Sequence, residues 1–447
     1  MREATPTPEG AAETVGTAAA DTGAGTDGRA GRGGTGGGNR EGGGAPPGGG
    51  TGQVGAGAVA GAAGAAGTET GGGAGAVAGT SGTSGTGTGG GGTDAAGAGN
   101  AVAPGSAGEA AVRATGGEFA RYVDALAIGA AECPLPGSGG TATRFEELSA
   151  VARADLGVAR LVEGHLDAVA ILAELGGAPV RLGQYWGVWA AEPPGSGLTA
   201  TRTADGGWVL DGLKRYCSGA HSCTHALVTA VAEDGRRLFA VRVGVAGTAA
   251  SGTGEAEPVD GPGCRPVGGT WQAVGMAGSD SPDVHFTSVP ATPVGEVEAY
   301  LRRPGFHHGG VGVAACWYGG AQAVARVLFE AAGRREDPFL DAQAGAVDMR
   351  LYAAGTVLRR AAEEIDADPL DRTDTAALRA MRVRALVAEV CAEVLDRVGR
   401  ATGAGPLCHD RRHAQAAADL AVYLRQHHAE RDLAALGGTV ARGGGER

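Results

Sequence analysis

The sequence predicts an α+β fold that is mainly helical, in which a helical domain, a small antiparallel β-barrel and a four-helix bundle follow one another. Apolar residues recur at helical spacing before residue 181 and again after residue 305. Between them, short β-prone runs alternate with Gly, Pro and Asp turns. The expected domains are therefore 108–181, 182–300 and 301–440.

Residues 1–107 are expected to form a disordered tail. They contain no Leu, Ile, Phe, Trp, Tyr or Cys and consist chiefly of Gly, Ala and Thr. Such a segment cannot bury enough apolar surface to offset the conformational entropy that ordering would remove. It has neither the Gly-X-Y period of collagen nor the basic and apolar regions of a secretory signal.

Composition and charge exclude several classes of protein. No apolar run approaches the ~18–20 residues that a membrane span requires. The net charge of −12 argues against non-specific binding of nucleic acid. The seven cysteines are odd in number and scattered, which favours reduced thiols and a cytoplasmic location.

The first helical block carries start and stop signals. Thr143 and Glu146 have the spacing of a capping box, which predicts a helix start. Asp155 indicates either a break or a second start. Gly176 and Gly177 end the last apolar stripe and predict a helix end.

Two turns organise the predicted barrel. Residues 204–207 precede the β-prone run 208–217, and residues 233–235 separate two further runs. Residues 283–286 alternate again between apolar and polar side chains. In the third block, long amphipathic helices are expected over four segments: 314–332, 345–365, 375–401 and 413–436.

Four segments resemble the acyl-CoA dehydrogenase family, whose members share this order of helices, barrel and bundle. WAAEPPGSGLTATRT (189–203) resembles the FAD loop, with Ala191 in place of the usual Thr and Gly197 in place of the usual Asp. Residues 206–220 resemble the flavin-contact hairpin, 271–291 the last barrel strands, and 422–437 the closing helix of some bacterial members. The similarity covers nearly all of 108–440.

The resemblance implies a bound FAD. An aromatic residue at the Tyr216 position lies near the flavin in this family, and a hydroxyl at the Ser218 position meets its reactive edge. From the residues alone, Tyr216 could equally be a packed strand residue and Ser196 a turn former. The implied cofactor-binding residues are Ala190, Ala191, Ser196, Tyr216, Cys217 and Ser218, with Arg335 near the pyrophosphate.

The catalytic base of the family has no evident counterpart. Dehydrogenation needs a carboxylate that removes an α-proton, and the corresponding position is Leu424. The alternative position on the first bundle helix falls near His307 and His308, and His427 follows Leu424 closely. These histidines are candidate bases, although helix-end or surface positions would also explain them. Asp419 and Glu430 are expected on a solvated face.

The resemblance implies oxidation of the Cα–Cβ bond of an acyl-CoA or carrier-bound acyl thioester, possible transfer of electrons to a flavoprotein acceptor, and a homodimer or homotetramer. Two alternatives stay open: a flavin-dependent monooxygenase of the same fold, and a non-catalytic subunit that binds flavin or acyl-CoA.

The segment 217–225, which overlaps the expected flavin-contact strand, also contains possible zinc ligands. Cys217, His221, Cys223 and His225 include the ligand types that zinc prefers. Their spacing is not a recognised zinc spacing, and no metal is expected.

Overall fold

The computed structural model describes residues 105–129, 133–193, 196–244 and 263–443. The predicted tail lies outside these ranges, except that residues 105–107 belong to the first helix. In this part of the chain no helix is both long and apolar enough to cross a membrane.

Three helices open the described chain: α1 Gly105–Ala127, α2 Thr141–Ala154 and α3 Leu156–Glu174. The predicted capping box is wrong, because α2 begins at Thr141, whose hydroxyl donates to Asp366 of the bundle over 2.6 Å. Asp155 is a second start, since its carboxylate accepts the main-chain N–H of Val158.

The middle of the chain forms a closed barrel. Strands β4, β2, β3, β7 and β5 form a ring in that order, and β5 pairs back with β4. Strands β1 and β6 pair with β4 and β7. The strands are β1 Trp186–Trp189, β2 Gly197–Arg202, β3 Trp208–Lys214, β4 His225–Ala232, β5 Gly235–Arg242, β6 Gly263–Pro266 and β7 Val284–Val294.

Both predicted hairpins are confirmed, as β2–β3 and β4–β5. The barrel is not wholly antiparallel, because β4 pairs in parallel with β1 and, at one position, with β2. Strand β3 ends at Lys214, so Tyr216 and Cys217 do not continue the predicted strand. Tyr216 instead has φ +57°, which is incompatible with an extended strand.

The third block contains three long helices and a broken fourth. The predicted helix 413–436 stops at Tyr423, passes through a 3₁₀ turn at Leu424–Gln426, and resumes at Glu430. Ala429, just before the restart, has φ +46°. The helices are α4 Ala299–Arg302, α5 Pro304–Ala332, α6 Pro338–Ala367, α7 Ala376–Thr402, α8 Gly405–His409, α9 Arg411–Tyr423 and α10 Glu430–Arg442.

One hydrophobic core extends from the barrel into the bundle, and includes the fully buried Trp189 and Trp317. Helix α2 lies close against α5 because α5 has a glycine at the contact. A Cβ on Gly319 would stand 2.2 Å from the main-chain oxygen of Ser149. Helix α3 packs against both α2 and α5, and it contributes Arg160 to the candidate site described next.

Candidate active site

A small, partly open cavity lies between the barrel loops, α3 and the end of α9. We call it the serine cavity, after Ser218, Ser279 and Ser281 in its wall. Its lining residues are Arg160, Val188, Ala190, Ala191, Tyr216, Ser218, Trp271, Met276, Ser279, Ser281, Val422, Tyr423 and Gln426. Four of the predicted cofactor-binding residues therefore meet in one cavity.

The loop that carries Ala190 and Ala191 is anchored by Glu192. Its carboxylate accepts from the Thr229 hydroxyl at 2.8 Å and pairs with Arg236 at 2.8 Å. Lys214 lies 3.8 Å away and donates to the main-chain oxygen of Thr229. Burial lowers the pKa of Lys214 to about 8, so the ammonium remains mostly charged at pH 7. These contacts fix the loop against the barrel wall.

The opposite wall consists of two irregular segments joined by main-chain hydrogen bonds. Cys217 donates to the oxygen of Pro282 at 3.0 Å, and Gly219 donates to that of Ser279 at 2.9 Å. Tyr216 and Met276 hold φ values of +57° and +60° in this wall. Such strained non-glycine residues persist only where the surroundings impose them, and they concentrate at functional sites.

Three serine hydroxyls form a chain along this wall. The hydroxyl of Ser281 donates to that of Ser218 at 2.9 Å and lies 3.0 Å from that of Ser279. The indole of Trp189 fixes Ser218 by donating to its main-chain oxygen at 2.9 Å. The Ser281 hydroxyl also lies 3.3 Å from the main-chain oxygen of Ser279, and Ser218 lines the cavity at the end of this chain.

A second small cavity shares Arg160, Val188, Ala190 and Gln426 with the first. We call it the charged cavity, because ionisable side chains from α3, from α7 and from the segment just before α5 face it. The rest of its lining is Glu163, Asp167, Tyr300, Arg303, Phe306, Gly309, Gly310, Val313 and Arg384.

Most charges in this cavity are paired. Arg160 pairs with Glu163 one turn along α3. Arg303 contacts Asp167 at 3.2 Å and Glu174 at 2.9 Å. Burial raises the pKa of Glu163 above the ordinary range of a glutamate. Glu163 was missed from the sequence, where the only signal was a carboxylate among the apolar residues of the α3 stripe.

Three predicted cofactor-binding residues line neither cavity. The hydroxyl of Ser196 donates to the main-chain oxygen of Pro193, as a turn former does. The thiol of Cys217 contacts the main-chain oxygen of Lys214, away from the cavity. Arg335 lies in the α5–α6 connection, is 67% exposed and pairs with Asp337 at 3.0 Å.

The candidate bases also stand outside both linings. Burial lowers the pKa of His308 to about 4, and it also lowers the pKa values of His307 and His427. Leu424 is buried. Asp419 is buried too, contrary to the expected solvated position, and accepts from the main-chain N–H of Met276.

Both histidines among the four possible zinc ligands contact other side chains. His221 pairs with Asp280 at 2.9 Å, and His225 stacks on Trp186. Within the described ranges, no group of three or more His, Cys, Asp or Glu side chains is arranged to hold a metal ion.

The serine cavity fits a flavin ring in its chemistry. A flavin offers a flat apolar face and a polar edge of carbonyls and ring nitrogens. The cavity offers Tyr216 and Trp271, the donor of Ser218, and a side-chain oxygen of Gln426 that is buried without a partner among the described residues. Buried polar atoms of this kind are normally satisfied, so a polar ligand is expected here.

Comparison of the sequence with protein-family models and with curated proteins gives no match. Solved structures do match in fold. Butyryl-CoA dehydrogenase from Megasphaera elsdenii aligns over 75% of this chain and 97% of its own, with TM-score 0.58 and 16% identity. Dibenzothiophene monooxygenase from Paenibacillus sp. A11-2 aligns over 76% and 98%, with TM-score 0.56 and 17% identity.

The nitrososynthase from Micromonospora carbonacea var. africana aligns over 76% of this chain and 98% of its own, with TM-score 0.54 and 22% identity. Identities this low carry the fold and not the reaction. The acyl-CoA dehydrogenase-like fold expected from the sequence is confirmed.

Proposed function

We propose that this acyl-CoA dehydrogenase-like chain is a flavin-dependent oxidoreductase whose flavin ring lies in the serine cavity and whose substrate lies in the charged cavity. The observation that carries the proposal is the shared wall of the two cavities, formed in part by Ala190 and Gln426. A flavin, when bound, supplies the electron-transfer chemistry, while the protein positions the reactants. The solved neighbours of this fold include flavoenzymes of several reaction types.

The flavin in this site could be either FAD or FMN. The resemblance implies FAD, whose pyrophosphate was expected near Arg335. That side chain is exposed and paired with Asp337. Arg160, which lines the serine cavity, is paired with Glu163. The dibenzothiophene monooxygenase neighbour has been solved with FMN. These observations favour FMN in the described site.

Among reactions, monooxygenation is favoured over oxidation of a fatty acyl thioester. A fatty acyl chain in the charged cavity would desolvate several ionised side chains without pairing them, which is costly. The expected position of the dehydrogenase base is the buried aliphatic side chain of Leu424. Monooxygenation places one oxygen atom of O₂ on the substrate and the other in water, with both electrons drawn from reduced flavin, and requires no such base.

Glu163 supports a second candidate, dehydrogenation with a base in an unusual place. Its carboxyl lines the charged cavity and is 7% exposed. Because burial raises its pKa, it is better suited than an ordinary glutamate to exchange a proton near neutral pH. The substrate in that case would have an acidic C–H bond but a polar body.

One experiment separates the candidates. The purified protein is titrated with FMN and with FAD, and bound flavin is followed by its visible absorption. Under anaerobic conditions a panel of acyl-CoAs should then leave the flavin oxidised. When a flavin reductase supplies reduced flavin in air, added polar substrates should stimulate O₂ uptake and give products heavier by one oxygen atom.

Other outcomes assign the function differently. Anaerobic bleaching by an acyl-CoA that is lost in Glu163→Gln would establish dehydrogenation with Glu163 as base. Flavin binding without either reaction would favour the non-catalytic partner subunit. Failure to bind either flavin would refute the proposal.

A further inference from the structure

Arg384 differs from the other arginines of the charged cavity. It projects from α7, is 2% exposed, and lies over the ring of Trp317 with 4.7 Å between its guanidinium carbon and the ring centroid. Arg160 and Arg303 each pair with carboxylates. Arg384 donates only to main-chain oxygens within the described residues.

The two main-chain acceptors leave Arg384 incompletely satisfied. One N–H donates to the oxygen of Gly310 at 2.9 Å and another to that of Gln426 at 3.1 Å. A guanidinium has five N–H donors, so three stay without a partner among the described residues. Burial lowers the pKa of Arg384 to about 10, and the group therefore remains a cation at pH 7.

Gln426 adds a second unsatisfied group in the same wall. Its main-chain oxygen accepts from Arg384, and its side-chain oxygen is buried without a partner among the described residues. Gln426 lines both cavities, so its amide stands at the boundary between the proposed flavin and the proposed substrate. The charges of Asp432 and Glu163 partly stabilise the Arg384 cation, although neither carboxylate forms an ion pair with it within the described residues. A buried cation of this kind gains stability from an anionic ligand.

We infer that Arg384 binds a carboxylate group of the substrate, so that the substrate is a small carboxylate-bearing molecule and not a neutral hydrocarbon chain. This inference rests on the proposed function for the role of the charged cavity. A carboxylate matches the planar fork of a guanidinium. A phosphate dianion matches less well, because Glu163 and Asp167 face the same cavity and would repel a second negative charge.

Propionate and its neutral isostere propionamide are suitable probes. Each is titrated into the flavin-loaded protein at constant ionic strength, and tryptophan fluorescence is followed because Trp317 contacts Arg384. We expect saturable binding of propionate, and a loss of affinity of about 10- to 100-fold in Arg384→Gln, the range for a hydrogen-bonded charge. Arg384→Lys should lose part of this affinity, since lysine keeps the charge but not the fork.

The matched control is Arg382→Gln, an exposed arginine two residues earlier on α7, which should leave propionate binding unchanged. Gln426→Glu tests the site without removing the buried arginine. It places a carboxylate in the wall beside Arg384, and we expect it to abolish propionate binding and raise the melting temperature.

Three results would overturn the inference: equal binding of propionate and propionamide, unchanged propionate affinity in both Arg384→Gln and Gln426→Glu, or tighter binding of inorganic phosphate than of propionate. Flavin binding is measured separately by absorption. Loss of flavin binding with selective propionate binding retained would refute the proposed function alone, whereas flavin binding without propionate selectivity would refute the carboxylate site alone.

Discussion

The serine cavity and the charged cavity share a wall but are built in different ways. The serine cavity takes its shape from irregular main chain, with positive φ angles at Tyr216 and Met276. The charged cavity takes its character from long side chains on regular helices, among them Glu163 on α3 and Arg384 on α7. The serine cavity presents hydroxyls and peptide groups, and the charged cavity presents ionised groups.

This difference suggests a division of labour. Main-chain geometry held by a barrel can be retained while side chains vary, and therefore suits a cofactor that many reactions use. Side chains on helix faces can be exchanged without changing the fold, and therefore suit the choice of substrate. Substitutions in the two cavities should accordingly affect different properties.

The largest expected effect comes from breaking an ion pair of the charged cavity. Arg160→Met leaves Glu163 buried without its partner, and we expect a loss of about 3–5 kcal/mol in unfolding free energy. The double variant Arg160→Met/Glu163→Leu removes both charges and should recover most of that loss. Urea unfolding of the two variants checks this, and equal losses would contradict the pairing.

A smaller effect is expected from the main chain of the serine cavity. A Cβ on Gly275 would stand 2.0 Å from the main-chain oxygen of Ala418. Gly275→Ala should therefore push the Met276 turn away from α9, lowering stability by about 1–3 kcal/mol and weakening flavin binding. Gly268→Ala is the control, because nothing lies within 4 Å of its Cβ. Equal flavin affinity in both variants would show that the turn does not shape the site.

Ser218 tests the hydroxyl chain itself. Ser218→Ala removes the hydroxyl that lines the serine cavity, together with its hydrogen bond to Ser281. We expect flavin affinity to fall about tenfold, which corresponds to one lost hydrogen bond. Ser196→Ala should bind flavin normally, because that hydroxyl already donates to Pro193. The reverse ranking of the two variants would restore Ser196 as the flavin contact. Absorption titrations with FMN measure both.

The sequence predicts the serine cavity better than the charged one for a physical reason. Turns are encoded locally, so the β2–β3 hairpin and the resemblance around Ala190, Ala191, Tyr216 and Ser218 could be identified without packing information. The orientation of Cys217 could not be predicted in this way. The sequence predicts a continuous strand there, but the main chain leaves the extended conformation at Tyr216.

Local sequence patterns do not show which helices, distant in the chain, pack against each other. Glu163 and Arg384 are separated by 221 positions, from the numbering, and each alone resembles an ordinary charge on a helix. The break of the fourth bundle helix was missed for the same reason. Its apolar spacing continues past Leu424, while the oxygen of Gln426 accepts from Arg384, a partner on another helix.

The smallest expected effect concerns His165, which links helix α3 of the charged cavity to strand β1, which leads to the serine cavity. It lies on α3, and its Nδ1 accepts the main-chain N–H of Trp186, the first residue of β1, at 3.2 Å. Burial lowers the pKa of His165 to about 4, below the ordinary 6.5. As pH falls below 6.5 the unfolded chain binds a proton that the folded chain does not, so stability present at pH 7 is lost toward pH 4.

Between pH 7 and pH 6 this linkage amounts to about 0.7 kcal/mol for His165, and His308, with the same low pKa, should add a similar loss. His165→Asn keeps an acceptor for Trp186 but does not titrate, so its stability should fall less over this interval than that of the unaltered protein. Urea unfolding at both pH values measures the difference. An unchanged pH dependence in the variant would mean that His165 is not held neutral between α3 and β1, and that the helix bearing the charged cavity and the strand leading to the serine cavity are joined by other contacts.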